Sequence, residues 1–266
     1  MTVTNERRVL VHPDKATLAG TVVARFITKI TDVIDSEGDA NVVLTGGTMG
    51  IAVLEAINAS AARDSVDWSR VSFWWGDERW LPRDDDERNE KQARAALLDH
   101  IAIDEAHVHP FAASDSGLTL EEAADAYERE LADAAREGAR APRFDITFLG
   151  VGPDGHIASL FPGREGIRET ERSVIFERNS PKPPPERLSL TLPVLNASER
   201  LFMVLAGPDK ASVLGLALAG ASFEEVPVAG LQGRRRTVFF VDQDAAAEVP
   251  ENLIAPVNYW TAADAN

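Results

Sequence analysis

The chain has no cysteine, which excludes disulfide staples, thiolate nucleophiles and sulfur-ligated metals. Aromatic residues supply only 7% of the 266 positions, so Val, Leu, Ile and Ala must fill most of the interior. No apolar run approaches the ~20 residues that span a bilayer. Residues 1–8 are polar and lack the apolar core of a secretory signal. Positive charge is also in short supply, with 27 basic residues against 43 acidic ones and a formal net charge of −16. Such a surface repels nucleic acid and anionic lipid over a screening distance of ~10 Å. Neither is expected as a partner, and a cytoplasmic location is. A phosphate ester would have to be caught by a concentrated positive pocket, against the overall field. The nucleotide-binding signatures are missing too. No glycine loop ends in Gly-Lys-Ser/Thr, and no Gly-x-Gly-x-x-Gly follows a strand.

What is present builds a core. Hydrophobic residues make up 44% and charged residues 26%, the balance of a folded domain. Short apolar runs predict strands at 7–11, 42–44, 71–75, 146–149, 188–192, 201–205 and 237–241, with a last edge strand at 257–260. Between the first two, Val22, Val23, Phe26, Ile27, Ile30, Val33 and Ile34 recur at the spacing of one buried helix face. Ile51, Leu54 and Ile57 mark a second helix, and further helices are predicted at 92–98, 120–136 and 210–219. Residues 76–89 read as a loop, and 178–186, with four prolines, as an extended one. Strands alternating with helices predict an α/β fold, a mostly parallel Rossmann-like sheet with helices on both faces. No repeat or low-complexity linker divides the chain, so a single domain over 1–266 is expected.

In such sheets ligands gather at the carboxyl ends of the strands, and three loops leave those ends. The first, Thr45-Gly46-Gly47-Thr48, can hold phosphate on the backbone N–H groups of a helix start, or can be simply a tight strand–helix turn. The second, beginning Gly76-Asp77-Glu78-Arg79, brings an acid and a guanidinium into one small space. Arg79 can fork onto phosphate or carboxylate, and Asp77 can orient a base or bind a sugar hydroxyl. For Glu78 a surface salt bridge is preferred. The third loop runs from Gly150 through Gly152-Pro153-Asp154-Gly155-His156 to Gly163. A histidine after a glycine-bound turn at a strand end can act as a general base. Asp154, two residues earlier, can cap the turn or fix the imidazole tautomer. Positive charge follows at Arg187 and at Lys210, the latter at a helix start. Arg234-Arg235-Arg236 reads as a solvated patch, although one of the three can reach the pocket.

With these residues in place the sequence resembles the 6-phosphogluconolactonase family, within the glucosamine-6-phosphate isomerase/6-phosphogluconolactonase superfamily. The resemblance runs over nearly the whole chain and is most specific across 150–163. It implies a glucosamine-6-phosphate-isomerase-like fold and cofactor-free, metal-independent hydrolysis of 6-phospho-D-glucono-1,5-lactone in the oxidative pentose phosphate pathway. It places His156 as general base, Asp77 and Arg79 as active-site acid and cation, and Arg187 and Lys210 as cationic substrate contacts. Gly46, Gly47, Thr48 and Asp154 complete the substrate-binding set. The glycine loop departs from the usual Ser-Thr-Pro continuation, reading Thr48-Met49-Gly50. Two other readings remain: a glucosamine-6-phosphate deaminase, which needs a Glu shortly after the histidine where this chain has Ser159-Leu160-Phe161-Pro162, and a non-catalytic sugar-phosphate sensor. A monomer or weak homo-oligomer is expected.

Overall fold

The computed structural model describes residues 6–250. Strand β1 (Glu6–His12) leads through Asp14, whose carboxylate accepts from Thr17 N, into helix α1 (Lys15–Glu37). Leu18, Val22, Phe26 and Ile30 form the buried face of α1, and Gly38 ends it at φ 92°. A left-handed residue closes a helix at least strain when it is glycine. There follow β2 (Ala40–Leu44), α2 (Gly47–Ala59), β3 (Val71–Trp75) and β4 (Asp77–Arg79). Then come α3 (Asn89–Ala96), β5 (Val108–His109), α4 (Leu120–Asp133) and β6 (Ile146–Gly150). The last third holds β7 (Val174–Glu177), β8 (Arg187–Leu190), α5 (Leu192–Asn196), β9 (Arg200–Leu205), α6 (Ala211–Leu218) and β10 (Arg236–Asp242).

Seven strands form one sheet in the order β1-β10-β9-β6-β2-β3-β5, with every pairing parallel. The wholly apolar reading of Val42, Val43 and Leu44 is explained by their position in its middle, where all three are buried. From β2 the chain builds toward β3 and β5; from β6 it builds the other way, toward β9 and β10. The crevice outside the carboxyl ends of β2 and β6 is therefore a topological switch point, the usual ligand site of an open α/β sheet. Two of the three loops singled out from the sequence leave those two strands.

A second, antiparallel sheet, β4-β8-β7, stands beside the first. Gly76 joins them: its N–H donates to Leu44 O at 3.0 Å, and its carbonyl accepts from Leu190 N at 2.8 Å. Here the structure corrects the sequence reading. Residues 77–79 are strand rather than loop, because their partner β8 lies more than a hundred residues away and the local Asp-Glu-Arg carries no strand signal. The strand expected at 188–192 ends at Leu190, since Leu192-Pro193 starts α5 with proline in its first turn. The helix expected at 92–98 starts at Asn89, and β5 and β7 were not anticipated. The strand expected at Val257–Trp260 lies outside the described residues. No helix among those described is long and apolar enough to cross a membrane.

Candidate active site

A cavity of about 470 Å³ opens at the switch point, within the usual range for small-molecule sites. Gly46, Gly47, Thr48, Asp77, Arg79, His156, Arg187 and Lys210 all line it. Asp154 reaches it through His156. Residues from five separate stretches of chain thus converge on one space.

His156 is positioned by its own turn. Gly152 N donates to His156 O at 2.9 Å, Gly155 N donates to Gly152 O at 2.9 Å, and Gly155 has φ 84°. A Cβ on Gly152 would lie 2.0 Å from His156 Nδ1 and 2.5 Å from Asp154 Oδ1. Glycine is required there for the imidazole and the carboxylate to meet. They do meet, with Nδ1 2.5 Å from Asp154 Oδ1. The opposite edge of the ring is left with Nε2, and the Phe161 ring packs 4.8 Å away. Partial burial would raise the Asp154 pKa. The hydrogen bond and charge of His156, together with the charge of Lys182, outweigh that and hold the carboxyl well below the usual range. An ionised carboxylate can only accept, so Nδ1 is the donor in this hydrogen bond.

Asp77 is buried and differently engaged. Its Oδ2 accepts from Ser159 Oγ at 2.7 Å, and its carbonyl accepts from Asn89 Nδ2 at 2.9 Å. Of the two acids offered by the sequence as orienting partner for His156, Asp154 is the one whose carboxylate meets the ring, while that of Asp77 bonds Ser159. Glu78 is structural, and buried instead of at the surface as expected: its carboxylate accepts from the N–H groups of Arg79, Asn89 and Glu90 at 2.7–2.9 Å and lies 3.7 Å from the equally buried Arg88. It caps α3 from outside the helix. Burial pushes this carboxyl up to about 7, against the pull of Arg88 and the three amides.

The cations ring the cavity. Arg79 and Arg187 stand directly opposite each other on β4 and β8, an arrangement that like charges make unfavourable unless an anion lies between them. Arg79 donates through Nη1 to Glu87 O at 2.5 Å, and its Nε is buried with no partner among the described residues. Arg187 donates through Nε and Nη2 to the carbonyls of Pro184, Lys182 and Pro183 at 3.2, 3.3 and 2.8 Å. Burial lowers its pKa, opposed by Asp77 and reinforced by Arg79. Lys210 lies 2.8 Å from Asp209.

The glycine loop is a tight strand–helix turn that also faces the cavity. Gly46, Gly47 and Thr48 face the cavity at the start of α2, and a Cβ on Gly46 would meet Asn89 Oδ1 at 1.8 Å. Lys15, Asn89 and Lys182 also line the cavity and were not singled out from sequence. Lys15 follows the end of β1 and Lys182 sits in the proline loop, so position after a strand or within an extended loop was the only available signal. Arg234 and Arg235 pair with Glu199 at the entry to β10. That end of the strand lies away from the cavity, and none of residues 234–236 lines it.

Comparison with known proteins is consistent with this geometry. The family model described as "Glucosamine-6-phosphate isomerases/6-phosphogluconolactonase" matches residues 13–240. The chain belongs to this family. A 6-phosphogluconolactonase of Streptomyces coelicolor is 49% identical over 255 residues, covering 94% of this chain and 98% of that one. One from Mycobacterium tuberculosis is 46% identical over 242 residues, covering 90% and 97%. The solved 6-phosphogluconolactonase of Thermotoga maritima superposes with a TM-score of 0.78 at 28% identity, covering 90% of this chain and all of that one. Each of these family members spans nearly the whole described structure, including all three loops.

Proposed function

We propose that the protein hydrolyses 6-phospho-D-glucono-1,5-lactone to 6-phospho-D-gluconate, the lactonase step of the oxidative pentose phosphate pathway, with His156 as general base. The observation that carries this reading is an imidazole fixed by an ionised carboxylate on the wall of a cavity ringed by Lys15, Arg79, Lys182, Arg187 and Lys210. The high identity to enzymes named 6-phosphogluconolactonase supports the substrate.

In the proposed reaction His156 Nε2 takes a proton from water as its oxygen attacks the ring carbonyl at C1. Negative charge moves to the former carbonyl oxygen, where positioned N–H groups and cations hold it. The intermediate collapses by breaking the bond from C1 to the ring oxygen, which receives the proton from the imidazolium. The carboxylic acid formed then ionises. Asp154 holds the imidazole in one tautomer and stabilises its protonated form, as an acid does in other base–acid pairs. In this reading Arg79, Arg187 and Lys210, with the N–H groups at the start of α2, hold the phosphate, and Asp77 a sugar hydroxyl; their common place on the cavity wall supports it. No step requires a metal or cofactor.

The purified protein should accelerate lactone opening, followed by acid release under conditions of slow spontaneous hydrolysis, and should release no ammonia from glucosamine 6-phosphate. Ammonia release without lactone turnover would favour the deaminase reading. Tight binding of the sugar phosphate with neither reaction would favour the sensor.

A further inference from the structure

The proline loop lies over the catalytic turn, and one side chain joins the two. Lys182 Nζ is 3.7 Å from Asp154 Oδ1, the same oxygen that His156 Nδ1 meets at 2.5 Å. Asp154 is 35% exposed at its side chain, so burial does not settle which way its carboxylate faces. The loop that carries Lys182 is itself held. The Arg187 guanidinium gathers the carbonyls of Lys182, Pro183 and Pro184, and Ser180 Oγ closes the turn by donating to Lys182 O at 2.8 Å. On its far side Arg178 bridges Glu121 of α4 and Glu186. A flexible lysine on a mobile loop would contribute little; here the backbone at Lys182 is fixed by several hydrogen bonds before its side chain reaches Asp154.

We propose that Lys182 is a positioning residue for lactone hydrolysis, holding the Asp154 carboxylate in the orientation that grips His156, with Arg187 acting on the same dyad by clamping the proline loop. This rests on the proposed function for its kinetic consequence and on geometry alone for its structural one. Asp154 offers a carboxylate that can rotate about its side-chain bonds toward solvent. An ammonium 3.7 Å from Oδ1 opposes that rotation while the imidazole keeps its own contact with the same oxygen. Part of the effect of Arg187 then reaches the chemistry through three carbonyls and one lysine, besides any direct contact with substrate.

The test is a double-mutant cycle between Lys182→Met and Asp154→Asn, read in kcat, KM and the Ki of inorganic phosphate. An ion pair this exposed is worth at most ~1 kcal/mol, a factor of ~3–5 in rate. Lys182→Met should lower kcat by ~3–5-fold while leaving KM and the phosphate Ki within about 2-fold. In the Asp154→Asn background the same substitution should have no further effect, because the group it acts through is gone. Lys182→Arg should restore most of the loss. Independently of turnover, the downfield proton resonance of His156 Nδ1–H should shift in Lys182→Met and not in a control substitution at Lys29, a half-buried lysine of α1 paired with Asp32. Equal effects of Lys182→Met in both backgrounds, or an unmoved resonance, would overturn the proposal. A rise in KM and phosphate Ki with kcat retained would also overturn it, by making Lys182 a phosphate contact. If the wild-type protein fails to open the lactone at all, the proposed function falls while the resonance still tests the link.

Discussion

At the scale of single residues, the site separates into groups whose roles follow from neighbours on their own turn and groups whose roles depend on distant chain. His156 and Asp154 belong to the first kind. Gly152, Gly155 and the two-residue spacing lie within one short stretch, so the turn and the meeting of His156 with Asp154 were legible in the sequence. Asp77 was legible as a residue of the cavity wall but not in its bonding, since Ser159 lies 82 positions away. Lys15, Asn89 and Lys182 were not singled out because position after a strand or within a loop is a weak signal; only the packing of α1, α3 and the proline loop around the switch point brings them in. One prediction belongs to this scale. Asp154→Asn removes the anion that fixes the tautomer, and should lower kcat by on the order of 10²-fold with a smaller change in KM. Steady-state kinetics on the lactone checks this; a kcat near wild type would assign the tautomer to something other than Asp154.

Among the elements, the antiparallel sheet β4-β8-β7 decides where the cations go. It presents Arg79 and Arg187 face to face, and this register could not be read from sequence because hydrogen bonding to a strand more than a hundred residues away overrode weak local preferences. The same region holds the buried Glu78, which ties β4 to the start of α3. Its folded-state pKa, about 7, lies above the ordinary value of 4.5. Between those two pH values the folded chain binds a proton that the unfolded chain has released, so stability contributed by Glu78 is fully present below ~4.5 and is lost as pH rises through about 7. Urea unfolding of the wild type and Glu78→Gln across pH 4.5–8 should therefore show a difference that moves against the wild type as pH rises. A pH-independent difference would mean that the three backbone amides and Arg88 hold Glu78 ionised throughout.

For the whole molecule, the parallel sheet was legible because strands buried on both faces write themselves as continuous apolar runs, and its helices as 3.6-residue periodicity. The strand order was not, because nothing local distinguishes β6 beside β2 from β6 at an edge. That order creates the switch point and hence the cavity. It also resolves an electrostatic conflict: a chain of net charge −16 gathers Lys15, Arg79, Lys182, Arg187 and Lys210 at one opening, so a phosphorylated lactone meets a positive cavity inside an acidic surface. In the proposed mechanism the imidazole in that cavity is the group that activates water. The most direct measurement is lactone turnover by His156→Ala, at a pH where spontaneous opening is slow, beside a calorimetric titration with 6-phosphogluconate. The account predicts a kcat reduced by ~10²–10⁴-fold with product affinity within a few-fold of wild type. Turnover at the wild-type rate in the folded variant would contradict it.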